Sequence, residues 1–226
     1  MLPTIWLIGA ILTVCLSTLK KTNKEMLFHF GRTISKDEIT PLHIHNVDIE
    51  RVQSFKLLGV YISADLSWSA HVAFLLKKVS KRIHIIYQML RAGVSTNDII
   101  AVYCSIIRSI LEYACPVWHP GLTKAQSDDL ERVQRRCLKI IYPELSYSDA
   151  LFVSGLEELS CRRENLVRAV FNEIKSPTHV LNHLLPLKNS LLTISNTRDN
   201  YPYRMPLCRT ERCNRSFIYY CIKKRF

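Results

Sequence analysis

Ser69–Arg91 reads SAHVAFLLKKVSKRIHIIYQMLR, and this stretch decides the fold class. Val72, Leu75, Leu76, Val79, Ile83, Ile86 and Leu90 recur at spacings of three and four. At about 100° per residue they share one face of a helix. Lys77, Lys78, Lys81 and Arg82 fall on the other side. Ser67 or Ser69 can cap the start, and Gly93 sits where a helix should stop. The spacing predicts one helix running from about residue 66 to Gly93.

The same period continues downstream. Ser95 or Thr96 caps a second helix, with Asp98 in its first turn. Ile99, Ile100, Tyr103, Ile106, Ile107, Ile110 and Leu111 give it a broad apolar face, and Pro116 should end it. A third helix starts near Thr123. Leu130, Val133, Cys137, Ile140 and Ile141 line one side, while Arg132, Arg135, Arg136 and Lys139 form a tight basic stripe opposite, closed by Pro143. Ser146-Tyr147-Ser148-Asp149 opens a short fourth helix. A fifth runs through Leu166, Val170, Phe171 and Ile174 and stops before Pro177.

Upstream the pattern is strand-like over residues 24–63. Phe28 and Phe30 alternate with His29, Ile44, Val47 and Ile49 lie near turn residues, and Phe55–Ile62 is a short buried-strand run. These signals predict a two- or three-stranded piece. Residues 1–17, MLPTIWLIGAILTVCLS, are apolar, but a membrane span needs about 20 residues. A membrane anchor, a buried segment and a foreign start are the competing readings.

The 226 residues carry 31 Lys/Arg against 19 Asp/Glu, a net charge of +12 that points to a polyanionic partner. Nucleic acid is the simplest such partner, and an anionic membrane face also fits. Residues 198–226 hold eight Lys/Arg against two Asp/Glu, and several prolines break the last fifty residues. That composition predicts a basic, weakly structured tail. The eight cysteines are scattered and several fall in helical patterns, so most read as reduced, buried thiols of an intracellular protein, nuclear or cytoplasmic.

FKLLGVYISADLSW (Phe55–Trp68) resembles the segment just after the catalytic palm of non-LTR (LINE-type) retrotransposon reverse transcriptases. The resemblance continues in order through Ser80-Lys81-Arg82, Arg91-Ala92-Gly93-Val94, Val102–Ser109, LEYACPVWHPGLT (Leu111–Thr123), SDDLERVQRRCLKIIY (127–142), LSYSDAL, Arg162-Arg163-Glu164 and CRTERCNRSFIYYCI. It covers residues 18–222. It implies the C-terminal part of the polymerase: primer grip, thumb and tail. The primer-grip-like positions are then Phe55, Leu58 and Gly59. Lys77, Lys78, Lys81, Arg82, Arg132, Arg135, Arg136 and Lys139 become candidate phosphate contacts to an RNA/DNA duplex, without base readout.

The departures carry equal weight. The family's Lys-Thr-Lys-Glu-Met is here Lys21-Thr22-Asn23-Lys24-Glu25-Met26. The Tyr/Phe-x-Asp-Asp signature that precedes it in the family has no counterpart. Two-metal nucleotidyl transfer needs clustered carboxylates, whereas Glu25, Asp37, Glu38, Asp48 and Glu50 follow no matching pattern. The expectation is a fragment with no catalytic residue, no metal site, no cofactor and no small-molecule substrate.

Residues 55–91 also resemble a domain model named for the N-terminal part of an alkylated-DNA-repair AlkB homologue. The chemistry of that name is not expected. An iron/2-oxoglutarate site usually starts from His-x-Asp, and no His here has Asp or Glu two residues later. A methyltransferase needs a Gly-rich strand-to-helix turn, which is also missing.

Three other groups read as structural. Asp128-Asp129 lies early in an amphipathic helix, where acids suit the dipole. Cys208, Cys213 and Cys221 with His179 and His183 have poor zinc spacing. Trp68 and Trp118 read as packing anchors. The predicted fold class is mainly α: a thumb-like helical bundle with a short β-strand or hairpin region on its N-terminal side and a weakly structured tail. The expected organisation is an apolar leader (1–17), a β-rich palm and primer-grip remnant (18–65), a helical thumb-like domain (66–178) and a basic tail (179–226). A repurposed interaction protein, tethered to a membrane by residues 1–17, is the alternative class.

Overall fold

The computed structural model describes residues 4–8, 11–16, 24–29, 40, 42–44, 47–188, 203–205, 207–208 and 210–226. Phe30, Asp37, Glu38, Pro41, His45, Asn46, Tyr201, Pro202 and Pro206 lie outside them, as do residues 1–3, 9, 10 and 17 of the leader. The described chain is mainly α-helical and divides into two compact units, Met1–His71 and Val72–Phe226.

In the first unit the leader is drawn into a sheet. β1 (Thr4–Ile8), β2 (Ile11–Leu16), β3 (Lys24–His29) and β6 (Glu50–Arg51) line up in that order. The first three are antiparallel, and β6 runs parallel to β3. The sheet is therefore larger than the two or three strands expected, because Ile5, Trp6, Ile11 and Val14 are strand formers as well as apolar residues, and Thr4 and Thr13 also favour strands. Two further pairs follow: β4 (His43–Ile44) with β5 (Val47–Asp48), and β7 (Ser54–Leu57) with β8 (Val60–Ser63). Met26, Phe28 and Ala64 form a core with Val52, Phe55, Ile62 and Leu66 packed against it. Glu25 is 1% exposed, yet its carboxylate accepts from Arg51 Nε at 2.5 Å and from the Leu42 N–H at 3.0 Å. A buried charge persists only with such partners.

The helix expected from residue 66 onward is two helices, α1 (Ser69–Ser80) and α2 (Ile83–Arg91). The apolar face runs through both, with Val72, Leu75, Val79, Ile83 and Ile86 buried. The break at Lys81-Arg82 has no Gly or Pro to announce it. There the Arg82 N–H turns back to the Val79 carbonyl at 2.7 Å, and Arg82 Nη1 donates to the Ile106 carbonyl at 3.3 Å. That carbonyl lies in a wide π-helical turn, Tyr103–Arg108, which joins α3 (Thr96–Val102) to α4 (Ser109–Glu112). Ser95 caps α3, its Oγ accepting from the Asp98 N–H at 3.3 Å.

Pro116 does not end this helix. The chain has already left it after Glu112, through Ala114 at φ 51°. Pro116 instead occupies the first turn of α5 (Cys115–Trp118), where its missing N–H costs nothing. Trp118 is fully buried and its indole N–H donates to the Tyr113 carbonyl at 3.0 Å, the anchoring role expected of it. Thr96–Gly121 is also the one helical run among the described residues that is long and apolar enough to cross a membrane. Here Ile99, Tyr103, Ile107, Leu111, Cys115 and Trp118 are buried within the unit.

α6 (Lys124–Ile141), α7 (Tyr147–Ser154) and α8 (Leu159–Ile174) complete the bundle. The tail holds more order than its composition suggests. α9 (Glu211–Asn214) and α10 (Phe217–Lys223) form within it. Val167 and Phe171 of α8 make one core with Tyr203, Cys221 and Ile222. Lys175 Nζ donates to the Phe226 carbonyl at 2.6 Å, and Lys224 pairs with Glu164 at 3.0 Å. The reduced-thiol expectation fails at Cys208 and Cys213, which form a disulfide across the start of α9. Cys115, Cys137 and Cys221 are buried free thiols, whereas Cys161 is exposed.

Candidate nucleic-acid interface

Thr123 begins α6 with a reciprocal capping box. Its N–H donates to Gln126 Oε1 at 2.9 Å, and its Oγ1 accepts from the Gln126 N–H at 3.2 Å. The register set there turns Leu130, Val133, Gln134, Cys137, Leu138 and Ile141 inward. Arg132, Arg135, Arg136 and Lys139 are left exposed on the other side, as predicted from their spacing, and Ile140 is half-buried at the edge. α2 lies against α6. Between them runs an open groove of about 770 Å³, lined by Tyr87 and Leu90 of α2, by the four cations and Ile140 of α6, and by Pro143.

The four cations are not equivalent. Arg132 pairs with Asp129 at 2.6 Å; the dipole role read for the two acids does not hold in its first-turn form, because the first turn of α6 carries no acid. The Arg135 guanidinium sits 4.8 Å from the Tyr147 ring centroid. Lys139 Nζ donates to the Pro143 carbonyl at 2.6 Å and so closes the C-terminal end of α6. Arg136 alone of the four has no ion pair, hydrogen bond or ring contact among the described residues, and it is exposed.

Under the stripe lies a polar core. Gln134 is fully buried; its Oε1 accepts from Tyr103 OH at 2.7 Å, and its Nε2 donates to Tyr147 OH at 3.1 Å and to the Glu157 carbonyl at 2.9 Å. Tyr147 OH also donates to Glu131 Oε1. The Glu131 carboxylate accepts in turn from the N–H groups of Leu159 and Ser160, both at 3.1 Å. An acid from α6 thus caps the start of α8, where the Glu158 side chain makes no cap. Nearby, Arg163 is fully buried, with Nη2 donating to Ser127 Oγ at 3.0 Å and Nε to His119 Nδ1 at 3.4 Å. Burial, and then the Arg163 charge, push His119 down to about 4. Burial pushes the Cys137 thiol behind the stripe up to about 12, so it is a protonated packing group rather than a nucleophile.

Lys77, Lys78, Lys81 and Arg82 form a second cluster. With Phe74 they line a smaller pocket of about 410 Å³. Lys78 Nζ lies 5.9 Å from the Phe74 ring centroid, while Arg82 is half-buried and committed to the Ile106 carbonyl. Phe55, Leu58 and Gly59 belong to the other unit, at the β7–β8 hairpin. Phe55 packs into the core there, and Leu58 is 84% exposed at the tip.

Sequence reasoning does not single out Tyr87, Glu131, Gln134 or Arg163. Tyr87 offers one faint signal, an aromatic lying off the apolar face of a basic helix. The other three depend on partners from other helices, which spacing along one helix does not reveal. Among the described residues no group of three or more His, Cys, Asp or Glu side chains is arranged to hold a metal ion. Comparison with models of protein families, with curated proteins and with solved structures finds no match.

Proposed function

We propose that this chain is a piece of a non-LTR retrotransposon reverse transcriptase that binds nucleic acid through phosphate contacts and does not copy it. One observation carries the binding half: Arg132, Arg135, Arg136 and Lys139 all line a single groove. A row of cations along a groove offers sequence-independent attraction to a phosphate backbone. The net charge of +12 favours the same class of partner. The retroelement reading is supported by the ordered resemblance from Phe55 to Ile222, and the mainly helical architecture is compatible with a thumb. The non-copying half is supported by the scattered acids of the chain, since strand synthesis requires clustered carboxylates.

Binding of the 226-residue chain to a primer–template is measured against salt concentration. The affinity falls linearly on a log–log plot, and Arg136→Glu lowers both the affinity and the slope, the latter by about 1–2. No binding at low salt overturns the proposal. In the same preparation, extension of the primer on addition of deoxynucleotides and magnesium overturns its non-copying half.

A further inference from the structure

The groove between α2 and α6 has a character that phosphate binding leaves unused. Half of its lining residues are not cationic: Leu90, Ile140 and Pro143, with the ring of Tyr87. Tyr87 is 43% exposed, and among the described residues its ring is stacked on nothing and its hydroxyl is bonded to nothing. A surface that serves only a duplex needs none of this, because a duplex hides the faces of its bases and presents phosphate and sugar. An unpaired strand presents both phosphates and bare base faces. The groove, at about 770 Å³, falls within the ~300–1,000 Å³ range of clefts that enclose small ligands. An anionic bilayer fits it less well, since a planar surface does not follow a concave one.

We infer that the α2–α6 groove is a seat for unpaired nucleotides: Tyr87 stacks a base, and Arg136, with Arg132 and Lys139 beside it, holds the adjoining phosphates. The inference rests on the nucleic-acid reading given above and narrows it from any polyanion to a single strand. Arg136 is the cation of the set with no partner among the described residues. The others already have an acid, a ring or a carbonyl to hold them in place.

The test uses the full chain, a fluorescent oligothymidylate and a blunt mixed-sequence duplex of equal length, at low salt. The single strand is expected to bind more tightly than the duplex. Tyr87→Ala should weaken it about fivefold to a hundredfold, the effect of losing one base–aromatic stack. Tyr87→Phe should retain single-strand binding, and neither substitution should alter duplex binding. Tyr87 is a surface residue, and circular dichroism of each variant confirms its fold. If the duplex binds as tightly as the single strand, or Tyr87→Ala weakens both alike, the single-strand seat is wrong while nucleic-acid binding stands. If neither oligonucleotide binds, or only vesicles containing anionic lipid do, the seat and the broader reading both fail.

Discussion

Leu58 shows what a single residue can store. Leu57 pairs with Val60, so the hairpin loop is Leu58-Gly59, and both residues have positive φ, 47° and 88°. This is the loop geometry that favours Asn-Gly. A leucine there carries roughly 1–2 kcal/mol of backbone strain, and its side chain is 84% exposed. Leu58→Asn should therefore raise stability by up to about 1 kcal/mol, read as a higher thermal midpoint. A lower midpoint would show that the leucine's own contacts outweigh the strain. Two histidines give a pH signature at the same scale. Burial pushes His71 down to about 4, and His119 is pushed to about the same value. Both are neutral when folded, whereas the unfolded chain takes up their protons near pH 6.5. Stability is thus fully present above about pH 6.5 and declines as pH falls toward 4. Thermal midpoints between these limits should fall with acid, and His119→Gln should flatten the slope; an unchanged slope would show that His119 takes no part in it.

At the scale of elements, the helices owe their mutual positions to polar groups that their own sequences do not advertise. The apolar faces of α3, α6 and α8 were legible because burial repeats with the helical period. Glu131 and Gln134 sit within α6 as ordinary polar positions until α7 and α8 are placed against it. Glu131→Ala removes the acceptor of two helix-start N–H groups and of Tyr147. The expected loss is about 1–3 kcal/mol, measured by urea denaturation. A change within a few tenths of a kcal/mol would mean that water replaces the cap. The break between α1 and α2 was illegible for a similar reason. At the break Arg82 reaches the Ile106 carbonyl on a distant turn, a contact of which an uninterrupted apolar period gives no warning.

For the molecule as a whole, the basic stripe was readable from spacing alone, and the structure collects all four of its members in one groove. What spacing omitted was the opposite wall. Tyr87 acquires meaning only when α2 is laid beside α6. Charge at this scale makes a separate prediction. Replacing Arg135, Arg136 and Lys139 together by glutamine should abolish most nucleic-acid binding at physiological salt while the folded state persists, because all three are exposed. Retained binding would move the interface to the Lys77–Arg82 cluster or the tail.

The seal between α8 and α10 has a consequence in time. Lys175 and Phe226 touch across 51 positions of chain. During synthesis, at about 5–20 residues per second, the Val167–Phe171 face waits some 3 to 10 s before its cover is made. Throughout that interval the nascent polypeptide displays a greasy ridge, the kind of surface a chaperone would shelter on the ribosome.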